Sequence, residues 1–178
     1  RTYPRKTTQD IKLLKKLKIN YLYIPTSKDI YGFKPRNKIF LDKSSKKLCG
    51  KFRKGHFEGV LNVVNRFIEI IRPKYIYLGK KDYQQLFLIK RHIEKRKIES
   101  RIVECETIRE NNGVACSSRN SKLNKNQIKV ASNIHNYLRN LKKKIRKNYN
   151  LFDINKIKKD LINLGANRID YVENYDVK

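Results

Sequence analysis

The chain has 178 residues, 39% of them apolar and 34% charged, with 44 Lys and Arg against 16 Asp and Glu and a formal net charge of +28. That length holds one full domain, or one domain plus part of another, and the sequence has no run of about eighteen apolar residues to span a bilayer. The basic balance admits a nucleic-acid partner, but 30 Lys, 18 Asn and 21 Ile beside 3 Ala are the bias of an AT-rich genome, and the cations are scattered through every segment apart from Lys142-Lys143-Lys144 with Arg146 and Lys147.

Gln9 to Lys18 carries Ile11, Leu14 and Leu17 at helical intervals and leads into Tyr21-Leu22-Tyr23-Ile24, which reads as a strand before Pro25. Tyr31 to Lys54 is polar, with one short strand candidate at Ile39-Phe40-Leu41. His56 to Ile71 predicts a helix: Phe57, Val60, Leu61, Val64, Phe67, Ile68 and Ile71 recur every three or four residues, and Pro73 stops it. The strand Tyr75–Leu78 follows, then a helix from Tyr83 to about Lys95 that buries Leu86, Ile89 and Ile93, then a strand at Ile102-Val103. Helix and strand so alternate over residues 9–105, the pattern of an α/β, doubly wound parallel sheet. After Arg109 the character changes. Asn111-Asn112-Gly113 signals a turn or tight hairpin. Leu123 to Ile145 is a long helix, and Ile154 to Leu164 a shorter one capped by Asp153 and ended by Gly165. Ile169-Asp170-Tyr171-Val172 reads as a terminal strand.

Cys49, Cys105 and Cys116 stand far apart with no metal-ligand spacing, which argues against a disulfide framework and a zinc site. Free thiols in a reducing cytoplasm are the simplest account. The chain starts at Arg1 and has no methionine, so we read it as an internal piece of a longer protein.

Two segments carry the chemistry. Gly79-Lys80-Lys81-Asp82-Tyr83-Gln84-Gln85 sits where a strand hands over to a helix. In an open α/β sheet that is where helix N-termini offer free N–H groups to an anion. Gly79 allows close approach of a nucleotide, Lys81 can reach phosphate oxygens, and Asp82 can accept from ribose hydroxyls or help position Mg²⁺. An ordinary strand–turn–helix with an N-capping Asp reads the same way locally. Gln85 offers an amide donor and acceptor to a substrate bearing hydroxyl and carboxylate groups, although a surface glutamine is the commoner case. Cys116-Ser117-Ser118-Arg119-Asn120 adds hydroxyls and a guanidinium, equipment that suits a triphosphate. By itself it is also a plain polar loop before a helix.

With Gly55-His56-Phe57-Glu58-Gly59-Val60 and Thr107-Ile108-Arg109-Glu110, these segments resemble the pantoate–β-alanine ligase family of the nucleotidyltransferase superfamily. The likeness runs from Tyr3-Pro4-Arg5 to Ile169-Asp170-Tyr171-Val172. It departs at Lys54, where the family usually has proline, at Lys80 (often glutamate), at Glu106 (usually proline) and at Cys116 (usually aliphatic or Met). The resemblance implies a Rossmann-like domain over 1–109 and part of a small α+β lid domain over 110–178. It implies ATP with Mg²⁺ held by Gly79, Lys80, Lys81, Asp82, Ile108, Cys116, Ser117, Ser118 and Arg119, with Lys81 and Arg119 catalytic, Gln85 on pantoate and His56 beside the nucleotide. The expected reaction joins pantoate to β-alanine through an adenylate in a cytoplasmic homodimer, with no membrane and no specific nucleic-acid partner. The family's His-x-Gly-His signature is absent from this sequence, so the piece is expected to be inactive alone. Two other readings stand beside it: another nucleotidyltransferase of the superfamily, and a basic nucleic-acid-binding module.

Overall fold

A computed structural model describes residues 6–32, 34–148 and 151–175; Tyr3-Pro4-Arg5, where the resemblance begins, lies outside the described residues. The elements in chain order are α1 (Thr7–Lys16), α2 (Ser27–Tyr31), α3 (Cys49–Phe52), α4 (His56–Ile71), β1 (Tyr75–Gly79), α5 (Tyr83–Lys95), β2 (Arg101–Cys105), α6 (Lys125–Lys147) and α7 (Ile154–Asn163), with short 3-10 turns at Lys43–Lys46, Lys80–Asp82 and Ser118–Lys122.

The longer helices fall where the apolar periodicity places them, to within about two residues, whereas the short α2 and α3 lie in segments not read as helical. In α4 the buried side chains are Phe57, Leu61, Asn65 and Ile68, one stripe along the helix. Gly55 enters the helix at φ 73°, a left-handed conformation that favours glycine, and Arg72, itself left-handed, ends it just before Pro73. Leu61 and Ile68 of α4 meet Ile89 and Ile93 of α5 in the main core, and Ile76, Leu78 and Ile102 of the strands pack against it. The two strands alternate accordingly, with Ile76 and Leu78 turned inward and Tyr75 and Tyr77 outward. The result is an α/β unit on a parallel sheet: β1 pairs β2 in register from Tyr75↔Arg101 to Gly79↔Cys105.

A polar pair is buried within this core. His92 is fully buried. Its Nδ1 accepts the Phe40 N–H at 2.9 Å, and its Nε2 lies 3.2 Å from Asn65 Oδ1. An imidazole that accepts at Nδ1 carries its proton on Nε2, so both ring nitrogens are satisfied by the neutral form. Burial, and then the Arg96 charge, hold its pKa below the ordinary 6.5. Asn65 passes the network on to the Asn37 carbonyl at 3.0 Å and Glu69 Oε1 at 3.1 Å.

Three expected strands are not strands. Residues 21–24 are irregular and exposed, Tyr21 to 93%; the described sheet consists of β1 and β2 alone, and neither pairs with them. Ile39-Phe40-Leu41 is held by side chains instead of a strand ladder, through the Phe40–His92 bond above and Arg96 on the Ile39 carbonyl. Residues 169–172 likewise have no ladder. Asn111-Asn112-Gly113 does turn: Arg109 bridges Ala115 antiparallel, and Gly113 N–H donates to the Glu110 carbonyl at 2.8 Å. Asp153 caps α7 by accepting from the Asn155 and Lys156 N–H groups, and Gly165 follows its end at φ 102°.

Candidate functional site

Parallel pairing brings the carboxyl ends of β1 and β2 to one edge of the sheet. From Gly79 the chain makes the 3-10 turn Lys80–Asp82 and enters α5 at Tyr83. From Cys105 it runs through Glu106, Thr107 and Ile108 into the 109–115 turn, and Cys116 N–H donates back to the Ile108 carbonyl at 3.0 Å. Between these two exits lies a cleft of about 350 Å³. Gly79, Lys81, Asp82 and Gln85 line one side of it, and Ile108 and Cys116 the other, with Glu106 and Thr107. A Cβ added to Gly79 would meet nothing within 4 Å, so the space beside it is open to a ligand.

Lys81 joins the two sides, its ammonium donating to the Cys116 carbonyl at 2.9 Å. Lys80 turns elsewhere. Its ammonium lies 2.6 Å from Glu106 Oε1, and that bond, reinforced by the carboxylate's charge, raises its pKa. Lys80 is not on the cleft wall. Ser117, Ser118 and Arg119 follow Cys116 directly but line neither this cleft nor its neighbour. Ser117 Oγ accepts the Arg119 N–H at 3.2 Å and so starts the turn Ser118–Lys122.

On the other side of the same strand–helix junction is a second cleft of about 480 Å³. Lys81, Asp82 and Gln85 line it too, opposite Arg53, His56, Cys49 and Tyr171. His56 thus borders this neighbouring cleft instead of the first. Arg53 Nη2 lies 3.2 Å from His56 Nδ1. A guanidinium can only donate, so the neutral ring carries its proton on Nε2. Burial first, then Arg53, lower the His56 pKa, and Asp82 opposes them. Tyr171 brings the C-terminal segment to this wall: its hydroxyl lies 2.8 Å from Cys49 Sγ and its ring stacks on Phe52 with centroids 5.9 Å apart. Burial, then the Cys49 bond, push that phenol up to about 12.

Sequence reasoning missed the work of Gln84. Its amide donates to the Ser44 and Lys47 carbonyls at 2.9 and 2.8 Å and accepts the Cys49 N–H at 3.1 Å, pinning the 44–49 segment to α5. It also missed Arg53. The only signal for that residue was a cation three positions before His56 at a glycine-bearing helix entrance.

Chemically, the first cleft offers an ammonium, strand-end backbone and an amide around an open hollow, the means to hold a phosphorylated ligand. Among the described residues no three His, Cys, Asp or Glu side chains gather as a metal site.

Compared with known proteins, residues 1–178 match the family described as pantoate-beta-alanine ligase. The pantothenate synthetase of Fervidobacterium nodosum is 35% identical over 180 residues, covering 98% of this chain and 62% of that protein. The pantothenate synthetase of Francisella tularensis subsp. novicida is 39% identical over 144 residues, 78% of this chain and 53% of its own length. A crystal structure of the Francisella tularensis pantoate-beta-alanine ligase complexed with beta-gamma ATP and beta-alanine superposes with a TM-score of 0.80 at 32% identity, over 98% of this chain and 64% of that one. The pantothenate synthetase of Thermus thermophilus gives 0.82 at 27% identity, over 95% and 62%. The chain thus spans between half and two thirds of the length of the relatives it matches.

Proposed function

Because the chain belongs to the pantoate–β-alanine ligase family and has its Rossmann-like nucleotidyltransferase fold, we propose that it supplies the ATP- and pantoate-binding part of an enzyme that makes pantothenate. In this reading the pantoate carboxylate attacks the α-phosphorus of ATP and pyrophosphate leaves. The β-alanine amine then attacks the mixed anhydride and AMP leaves. A carboxylate is a poor acyl donor, so its activation as an adenylate makes amide formation feasible, and the protein contributes positioning and charge stabilisation.

The observation that carries the reading is the convergence of Gly79, Lys81, Asp82, Gln85, Ile108 and Cys116 on one cleft at the carboxyl edge of the parallel sheet. The cleft takes ATP, with adenine against the backbone at Ile108. Lys81 has three donors and uses one on Cys116, which leaves two for phosphate oxygens. Ser117, Ser118 and Arg119 meet the β- and γ-phosphates from the adjoining loop. Mg²⁺ comes with ATP, and Asp82 is the carboxylate the junction offers it. Gln85 borders both clefts, which suits a residue that holds pantoate beside the nucleotide. The ATP and β-alanine named for the Francisella structure support the same substrates here.

The reading includes a nucleotide domain over 1–109 and part of a lid over 110–178, a homodimer when the family's full length is present, and a reducing cytoplasm, with which three free thiols agree. No described helix is long and apolar enough to cross a membrane. The test grafts this chain onto the remaining segments of the Fervidobacterium relative and follows exchange of labelled pyrophosphate into ATP. We expect exchange that depends on pantoate and needs no β-alanine; exchange indifferent to pantoate would reject the assignment.

A further inference from the structure

The charged side chains that line the first cleft are Lys81, Asp82 and Glu106. One cation faces two carboxylates there, a wall of net negative sign and a poor receiver for a polyphosphate. The register explains how that is corrected. Gly79 and Cys105 are level in the parallel pair, so the next residue on each strand, Lys80 and Glu106, come level too, and their side chains meet at 2.6 Å. Lys80 stands off the wall yet clasps a carboxylate that stands on it.

We propose that Lys80 is a positioning residue of the nucleotide cleft that acts through Glu106: it neutralises and ties back that carboxylate so that the wall accepts a polyphosphate, and it does not itself touch phosphate. The inference rests on the reading of this cleft as the ATP site. It requires that the effect of Lys80 scale with ligand charge and vanish when Glu106 loses its charge. The pair is exposed, the Glu106 side chain to 81%, so the effect is modest and screened by salt.

The experiment is calorimetric titration of the grafted enzyme with Mg²⁺-ATP and with adenosine, at about 50 mM and about 200 mM salt, where the Debye length shortens from well above 10 Å to below it. Lys80→Ala should weaken ATP binding about three- to tenfold at the lower salt and less at the higher, with adenosine unmoved. Lys80→Arg should bind as the parent does. Glu106→Gln should bind ATP at least as tightly, and Lys80→Ala with Glu106→Gln should recover the parent affinity. A double variant as weak as Lys80→Ala would mean that Lys80 meets phosphate directly and would overturn the proposal, as would equal losses for ATP and adenosine or no loss at all. A grafted parent that binds neither adenosine nor ATP would overturn the cleft assignment, and this inference with it.

Discussion

At the scale of single residues, Gln84 and Gln85 are neighbours with opposite duties. Consecutive helical positions point about 100° apart, so one amide is spent on the 44–49 segment and the other borders both clefts. Sequence alone puts Gln85 on a substrate and leaves Gln84 without a duty, because that duty depends on where residues about forty positions away return. Lys81 and Gln85 should separate in the grafted enzyme. Lys81→Ala should slow pyrophosphate release with pantoate alone by about a hundredfold or more, the usual cost of about 2.7–4 kcal/mol for a lost charge-stabilising contact. Gln85→Ala should instead raise the pantoate KM with little change in ATP binding. Parent rates in both variants would remove these residues from the mechanism. His92 makes a pH prediction. Its folded form is neutral and its pKa lowered, as are those of His56 and His135. Between the folded value and the ordinary 6.5 the unfolded chain therefore binds more protons. The linked stability is complete above about pH 6.5 and is lost as the pH falls through the folded values. Urea denaturation from about pH 7.5 to about pH 5 should show that decline, and His92→Gln should flatten it in part. A slope of the opposite sign would mean the buried ring is charged.

Among the elements, long helices were legible, while unpaired strands and the one-turn helices α2 and α3 were not. A helix closes its hydrogen bonds within a few residues, so the periodicity of His56–Ile71 and Tyr83–Lys95 sufficed to give both helices their observed limits. A strand is defined by a partner, and 21–24, 39–41 and 169–172 have none among the described residues, although their β-branched and aromatic composition fits strands. The α6–α7 pair offers a sharper test. Gly165, just past α7, has φ 102°, and a Cβ there would come within 2.9 Å of Val130 Cγ2 on α6. Gly165→Ala should cost about 1–3 kcal/mol from backbone strain with the clash added. Pairing it with Val130→Ala should recover the steric part alone, read from a denaturation double-mutant cycle. An Ala variant as stable as the parent would show that the helix end has another conformation available.

The whole molecule carries +28, and α6 holds eight of its cations with no carboxylate of its own. If that charge is compositional drift and not recognition, RNA and DNA should bind weakly, without sequence preference, and release as salt rises, since counterion loss alone would drive the association. Fluorescence anisotropy with mixed-sequence and homopolymer strands at physiological ionic strength, where screening acts beyond about 8 Å, checks this. Sub-micromolar, sequence-selective binding that survives such salt would revive the binding-module reading. The α/β class and the cleft at the strand ends were readable because both follow from alternating elements and from glycine and lysine at one junction. The second cleft was not, because its far wall joins Cys49, Arg53 and His56 to Tyr171, more than 80 positions along the chain from Gln85.

The junction from Gly79 to Gln85 borders two hollows, and this has a genetic consequence. A change at Lys81, Asp82 or Gln85 is felt by both compartments at once, so such alleles should be pleiotropic and should combine non-additively with one another. Changes at Ile108 or His56, each confined to one compartment, should combine as independent factors. Variation that retunes one ligand without disturbing the other is therefore open to the outer walls and closed to the shared partition.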